Sequence, residues 1–312
     1  MVEGNNEIQM NIGITGASGF IGRRLVELAG GGGHRITGFS RDAARKIPGC
    51  AETRVFRPDQ PPDISGCDVL VHLAGENVFG FWTREKKRRI LESRQLGTRR
   101  LVDAILASAN PPRALVSGSA IGFYGDTGEA ATDEASPSGV GFLAETTQIW
   151  EREALRAREK NVRVVLLRTG IVLGKNGGAL RVMAPLFSAG LGGKTGSGAQ
   201  WMSWIHLDDI AALALFAAEN ESVEGPVNGV APDPVRNADF TRILAAALHR
   251  PAFFPAPALL LKSFLGEFSR ELLDSKRILP SRALAAGFHH RFPALDGALA
   301  DIFSIANQKS KI

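Results

Sequence analysis

The sequence predicts an α/β fold: a doubly wound parallel sheet covered by helices on both faces, with a smaller C-terminal lobe. Three observations carry that expectation. Short, nearly continuous apolar runs alternate with longer amphipathic segments through the first two-thirds of the chain. A glycine-spaced turn, "TGASGFIG" (15–22), joins the first apolar run to the first amphipathic segment. Beyond Gly170 the texture changes to glycine-rich and then proline-punctuated sequence. Runs apolar at every position suit strands buried on both faces, and their alternation with helical patterns is the signature of parallel strands joined by crossover helices.

The elements follow in order. Met10 to Ile14 reads as a strand, Ile21 to Ala29 as a helix, and Arg35 to Phe39 as a second strand after the break "GGGG" (30–33). The runs "CDVLVHLAG" (67–75), "RALVSGS" (113–119) and "VRVVLLR" (162–168) are three further strands, each flanked by a helical pattern. The run "REKKRR" (84–89) opens a long helix in which acidic residues also occur, so it reads as a solvated face. The expected division is a core of 10–170 with 200–230 returning to it, a smaller lobe of 171–199 and 231–312, and an N-terminal extension of 1–9. That lobe is expected to close over the carboxyl ends of the strands, where ligands bind in open α/β sheets.

Composition narrows the function classes. The chain has 312 residues, 44% hydrophobic and 22% charged, which is ordinary for a globular protein. No aromatic-interleaved basic stripe accompanies the net charge of +5, so no nucleic-acid partner is expected. Two cysteines and scattered histidines make neither a disulfide framework nor a metal quartet. The first nine residues lack a basic start and an apolar core, and "PAFFPAPALLLKSFLG" (251–266) is broken by prolines and a lysine. The expectation is a cytoplasmic protein without a membrane or metal partner.

The glycine turn points to chemistry. In a Rossmann-type first turn the leading glycine allows the tight bend, the second lets the backbone approach a diphosphate, and the third lets helix and strand pack closely. Gly16, Gly19 and Gly22 fit those places, so the whole turn, Gly16, Ala17, Ser18, Gly19, Phe20, Ile21 and Gly22, is expected to bind a dinucleotide at the helix N-terminus. An NAD site carries an acid at the end of the second strand, about 20 residues on. This chain places Ser40 and Arg41 there, a hydroxyl and a guanidinium suited to a 2′-phosphate, so NADP is favoured over NAD. Asp42 would serve an NAD ribose if the strand ended one residue later.

With "TGASGFIG" (15–22), the runs "VHLAG" (71–75), "LGTRRLVDA" (96–104) and "WIHLDDIA" (204–211) resemble the extended branch of the short-chain dehydrogenase/reductase superfamily. "LAGEN" (73–77), "LRTGIVLGKNGGAL" (167–180), "GSGAQWMSWIH" (196–206) and "LLDSKRILP" (272–280) are similar to its epimerase-like subgroup, which has a small C-terminal domain of unknown role. The resemblance implies that Leu73, Ala74, Gly75, Ser117 and Thr169 line the cofactor, that Gly170 lies near the nicotinamide, and that homodimers are common. It also exposes a gap. The superfamily's usual catalyst is Tyr-x-x-x-Lys with a nearby Ser or Thr, and the one tyrosine here, Tyr124, is followed four residues later by Gly128. By position the dyad falls in "GFLAETTQ" (141–148), leaving Phe142 or Leu143 for tyrosine and Thr146 or Thr147 for lysine.

Ser119, with Ser117 as the fallback, is the expected counterpart of the catalytic hydroxyl. Tyr124 is the candidate replacement for the missing tyrosine, set against a packing role. Glu76 and Asn77, which follow the cofactor-lining "LAG", are expected in the substrate pocket together with Trp82, Gln200, Trp201 and Ser203. Glu145 and Asp126 are weaker candidates, and Trp204 is expected to pack. Two functions remain open: an NADP-dependent oxidoreductase or epimerase acting on a small polar substrate such as a sugar nucleotide, or a non-catalytic NADP-binding regulator linked, as in the subgroup, to cell division.

Overall fold

The computed structural model describes residues 9–304 except Ala43 and Pro58. The expected extension therefore lies outside the described residues over 1–8, as do the last residues of the expected lobe, 305–312. In chain order the elements are β1 (Asn11–Thr15), α1 (Phe20–Gly31), β2 (Arg35–Ser40), β3 (Glu52–Val55), β4 (Val69–His72), α2 (Arg84–Ala107), β5 (Ala114–Ala120), α3 (Phe142–Leu155), β6 (Arg163–Thr169), β7 (Ile171–Gly174), β8 (Gly177–Gly178) and α4 (Leu180–Ser188). There follow β9 (Trp201–Met202), β10 (Trp204–His206), α5 (Leu207–Glu219), β11 (Gly225–Gly229), β12 (Val235–Arg236), α6 (Asn237–Ala247), α7 (Ala258–Leu265), α8 (Arg270–Leu273), α9 (Ser281–Ala285) and α10 (Leu295–Phe303).

Seven strands form one parallel sheet in the order β11-β6-β5-β4-β1-β2-β3. The order reverses at β1, the point at which such sheets open a crevice at their carboxyl ends. The continuous apolar runs are explained by alternation. Val69, Val71, Val116, Val165 and Leu167 enter the core beneath α1 and α5, whereas Leu70, Leu115, Val164 and Leu166 enter the one beneath α2 and α3. The apolar positions of these strands meet a hydrophobic layer on either face, so an unbonded polar residue there costs burial energy.

Two strands of this sheet escaped sequence reading, and both lie at its edges. β3 reads "ETRV" and is only half-buried. β11 reads "GPVNG" and pairs with β6 alone, so Pro226 is tolerated. Beyond β6 a small sheet, β10-β7-β8, and the β12-β9 pair carry α4, α6 and α10 around a third core built on Leu173, Trp204, Phe240, Leu244 and Leu299. Residues 231–304 are not confined to that lobe: Ala283 and Phe288 join the core under the main sheet, and α9 packs on β11. Among the described residues no helix is long and apolar enough to cross a membrane.

Candidate active-site cleft

The glycine turn leaves β1 through Gly16 at φ +73°, where the backbone passes so near the β4 turn that a Cβ would lie 2.9 Å from the Ala74 nitrogen. The Gly19 N–H donates to the Gly16 carbonyl at 2.8 Å, and a Cβ on Gly22 would stand 2.1 Å from that same oxygen. Ala17 is buried and Ser18 half-buried. Phe20 turns its ring onto Gly177 and Gly178 of the β8 hairpin, while Ile21 packs on the core below. Gly19 caps α1 without a side-chain hydrogen bond, and the first turn holds no acid. The positive end of the helix dipole thus meets neither a side-chain cap nor an acid, the condition under which a helix N-terminus can take an anion.

β2 runs to Ser40, one residue beyond the expected end and the condition under which Asp42 would reach a ribose. The Asp42 carboxylate is instead turned into its own loop, accepting from the Ala44 N–H at 3.0 Å, while the Ser40 hydroxyl accepts from the Asp42 N–H at 3.2 Å. Arg41 is exposed; its carbonyl accepts from Arg57 Nε at 3.0 Å, and its guanidinium has no hydrogen-bonding partner among the described residues.

At the end of β4, His72 is fully buried between Thr15 Oγ1 at 2.6 Å and Thr98 Oγ1 at 3.0 Å, and burial pushes its pKa down to about 4. It thereby fixes β1, β4 and α2 behind Leu73, Ala74 and Gly75. Glu76 pairs with Lys86 at 2.8 Å; that bond, with the charges of Arg89 and Arg41, holds its carboxyl below the usual range. Asn77 closes a turn by accepting from the Phe79 N–H, and Trp82 Nε1 donates to the Val78 carbonyl.

Arg94, which the sequence reading missed, lies behind Gly75. Its Nη1 donates to the carbonyls of Glu76 and Ile90 at 3.0 and 3.2 Å, and its guanidinium carbon stands 5.0 Å from the Trp150 ring centre. Burial lowers its pKa to about 10, and it forms no carboxylate ion pair among the described residues. Its place inside a basic helix hid it.

The ends of β5 and β6 hold a buried polar network. Ser119 Oγ donates to Glu151 at 2.6 Å; Glu151 takes two bonds from Arg168, at 2.8 and 2.9 Å; Arg168 Nη1 also donates to the Tyr124 oxygen at 2.8 Å. Tyr124 Oη donates in turn to Asn228 Oδ1, and Asn228 Nδ2 to the Leu279 carbonyl. Tyr124 is 3% exposed and burial raises its pKa, features of the packing and hydrogen-bonding role that was set beside the catalytic one. Ser119 is 4% exposed with its proton committed to Glu151. Ser117 is fully buried and bonds the Gly118 carbonyl, and Thr169 bonds that of Leu167.

The expected dyad positions fall at the start of α3. Leu143 packs against Gly122, Thr146 and Thr147 are buried, and Thr147 bonds the backbone of its own helix. Glu145 is exposed, and Asp126 is engaged by the N–H groups of Gly128 and Ser275. Around Gly122, Phe142 and Leu143 lies a narrow cleft whose far wall comes from the C-terminal region: Arg270, Glu271 and Asp274. Burial raises the Asp274 pKa, with Asp126 and Glu271 adding to the effect, while Lys276 pairs with Glu271 at 3.4 Å. "LLDSKRILP" thus brings ionisable groups to the place where the usual ones are missing; its density of charge was the available signal.

The lobe candidates are engaged within the protein. Gln200 Nε2 donates to the carbonyls of Thr195 and Leu272, and Ser203, fully buried, donates to the Lys276 carbonyl and accepts from the Ile278 N–H. Trp201 lies between the guanidiniums of Arg236 and Arg277, at 4.2 and 4.8 Å, and donates to Glu129. Trp204 is fully buried, in keeping with a packing role. Among the described residues no cluster of His, Cys, Asp or Glu could hold a metal ion.

The sequence model of the NAD dependent epimerase/dehydratase family matches residues 12–228, and a domain of unknown function, DUF1731, matches 256–302. The Arabidopsis thaliana protein named epimerase family protein SDR39U1 homolog, chloroplastic, is 40% identical over 95% of this chain and 87% of its own length. The crystal structure of human epimerase family protein SDR39U1 with NADPH is 35% identical, with a TM-score of 0.86 over 94% of this chain and 99% of that one. A nucleoside-diphosphate sugar epimerase from Corynebacterium glutamicum is 33% identical, with a TM-score of 0.79 over 97% of this chain and 61% of its own. On these matches, with the seven-stranded sheet and the glycine turn beneath them, the chain belongs to the NAD dependent epimerase/dehydratase family.

Proposed function

We propose that this protein binds NADP(H) in the crevice above β1 and acts as an oxidoreductase or epimerase on a carbonyl-bearing small molecule in the cleft beside Gly122. One observation carries the reading: an uncapped helix N-terminus at a glycine turn, with Ser40 and Arg41 where β2 ends, the Arg41 guanidinium without a hydrogen-bonding partner among the described residues though within electrostatic reach of Glu76, and Asp42 folded away. The human relative crystallised with NADPH supports it.

In this reading Gly16 to Gly22 hold the diphosphate through backbone N–H groups, Ser40 and Arg41 take the 2′-phosphate, and Arg94 adds a buried positive charge. Leu73, Ala74 and Gly75 flank the cofactor, and Ser117 and Thr169 shape the strand ends near the nicotinamide. Bound there, the cofactor supplies a hydride donor or acceptor. The chain's own part is to orient it and to move a proton at the substrate oxygen, for which Asp274, on the cleft wall 3.4 Å from Arg270 Nε, is the candidate group; burial raises its pKa while Lys276 and Arg270 oppose that. Cys50 and Cys67 are unpaired thiols, which suits a reducing compartment, and the cytoplasm is part of the proposal. The second reading, a nucleotide-binding regulator without turnover, is favoured by the engaged Ser119 and the apolar dyad positions.

Thermal unfolding of nucleotide-stripped protein with NADPH, NADP⁺, NADH and NAD⁺ tests the cofactor, because a ligand of the folded state alone raises its stability. The phosphorylated pair should give the larger shift. Arg41→Ala should weaken NADPH about tenfold to a hundredfold, the worth of a charge-assisted hydrogen bond, and leave NADH unchanged. Equal loss for both cofactors would refute the 2′-phosphate assignment. Consumption of NADPH with any carbonyl substrate, lost in Asp274→Asn, separates enzyme from regulator.

A further inference from the structure

A second cavity, of about 450 Å³, opens in the C-terminal lobe and shares no lining residue with the cleft beside Gly122 or with the glycine turn. Its volume is that of a small-molecule site. One wall is α6, through Ala238, Thr241, Arg242 and Ala245; the other is the chain from Arg250 to Pro255. Backbone pairing holds that chain in place: the Phe254 N–H donates to the Gly192 carbonyl at 3.1 Å and the Ala256 N–H to the Lys194 carbonyl at 2.8 Å. Successive side chains of such extended segments point to opposite faces. Lys194 lines the cavity, whereas the Thr195 hydroxyl turns to the other side and accepts from Gln200 Nε2 at 2.8 Å.

The lining carries three cations and no carboxylate. Lys194 is exposed and forms no ion pair among the described residues. Arg250 Nε donates to a neutral group, the Ser188 carbonyl, at 3.1 Å. Arg242 meets Asp239 of its own helix at 3.4 Å with both side chains more than half exposed, a pair worth little. A concave surface lined by one sign of charge concentrates the opposite ion. Thr241 lines the same cavity and is 7% exposed, yet its hydroxyl has no hydrogen-bonding partner among the described residues. A buried hydroxyl ordinarily has one, so this donor is left for the occupant of the cavity.

We propose that this cavity binds a small phosphate monoester, its phosphate held by Lys194, Arg242, Arg250 and the Thr241 hydroxyl, and its apolar body against Pro251, Phe253 and Pro255. A phosphate monoester carries about −1.5 to −2 charges at pH 7 and three strong acceptor oxygens, so it answers three cations and a hydroxyl better than a carboxylate does. The body is apolar because the remaining lining is proline, phenylalanine and alanine.

The experiment is calorimetric titration of the full chain with phenyl phosphate at low salt, with and without saturating NADPH. Expected are one phenyl phosphate bound per chain, the same affinity in both conditions, and weaker binding of inorganic phosphate and of benzoate. Lys194→Met and Arg242→Gln should each lose about tenfold in affinity, the worth of a charge-assisted hydrogen bond, and Thr241→Val about threefold. Lys194 and Arg242 are exposed, so those two variants should keep the wild-type melting temperature. Absence of binding at millimolar phenyl phosphate would overturn the proposal, as would inorganic phosphate or benzoate bound as tightly, or unchanged affinity in both charge variants. Displacement by NADPH would overturn it too, because it would place the phosphate in the cofactor crevice. A protein that binds phenyl phosphate and no NADPH would keep this site and lose the cofactor reading.

Discussion

His72 shows how a buried residue behind the cleft ties stability to pH. Its folded-state pKa is about 4 against an ordinary 6.5, so the unfolded chain takes up a proton first as pH falls. Stability is therefore complete above 6.5, falls between 6.5 and 4, and levels below that; the full difference is about 3 kcal/mol. Denaturation midpoints across this range should show the slope in the wild type and a flatter one in His72→Gln. Burial lowers His206 and His290 in the same direction, so some slope should persist. An equal slope in variant and wild type would contradict the assignment. Glu151 and Arg168, 7% and 5% exposed, form an ion pair whose partners leave no easy substitute. Glu151→Gln should cost about 3–5 kcal/mol, read as a fall in denaturation midpoint, because it strands a buried guanidinium. A cost below about 1 kcal/mol would mean that the network is not structural. Residue types near the site were legible in the sequence, but their partners were not. Tyr124 stood out as the single tyrosine, and only the fold could bring Arg168 and Asn228 onto its hydroxyl.

Among the elements, the glycine turn is the one the sequence specifies most sharply, because its constraint is local. Any side chain at Gly22 meets the Gly16 carbonyl, and neither backbone can yield without moving β1 or α1. Gly22→Ala should therefore destabilise the protein by about 3 kcal/mol and weaken NADPH more than tenfold, checked by denaturation and by nucleotide titration. Unchanged binding would imply that the turn does not hold the diphosphate. The buried strands were equally legible, since residues covered on both faces must be apolar throughout. β3 and β11 were not, for the reverse reason: an edge strand has one neighbour and lets polar residues, glycine and proline stand. α3 begins at the expected dyad positions, yet the ionisable groups across the cleft from it come from residues more than a hundred positions away.

At the scale of the whole molecule the C-terminal region is part of the sheet's closure and of the cleft. Ile278 bridges to Thr132, Ser203 bonds Lys276 and Ile278, and Ala283 and Phe288 enter the main core. A chain ending before residue 256 should lose a single cooperative unfolding transition, seen by calorimetry, and should bind NADPH poorly. A truncated protein melting as sharply as the full chain would show the region to be an independent appendage. The sequence by itself determined the doubly wound class, the tight glycine turn and the place of Ser40 and Arg41 where β2 ends, because each depends on covalent neighbours and on burial periodicity. Only the tertiary structure decided which hydroxyls are free, which carboxylates face the cleft and which cations line the cavity of the C-terminal lobe. Those properties depend on pairs of side chains far apart in sequence, and desolvation, which sets their chemistry, exists only once the chain has closed around them.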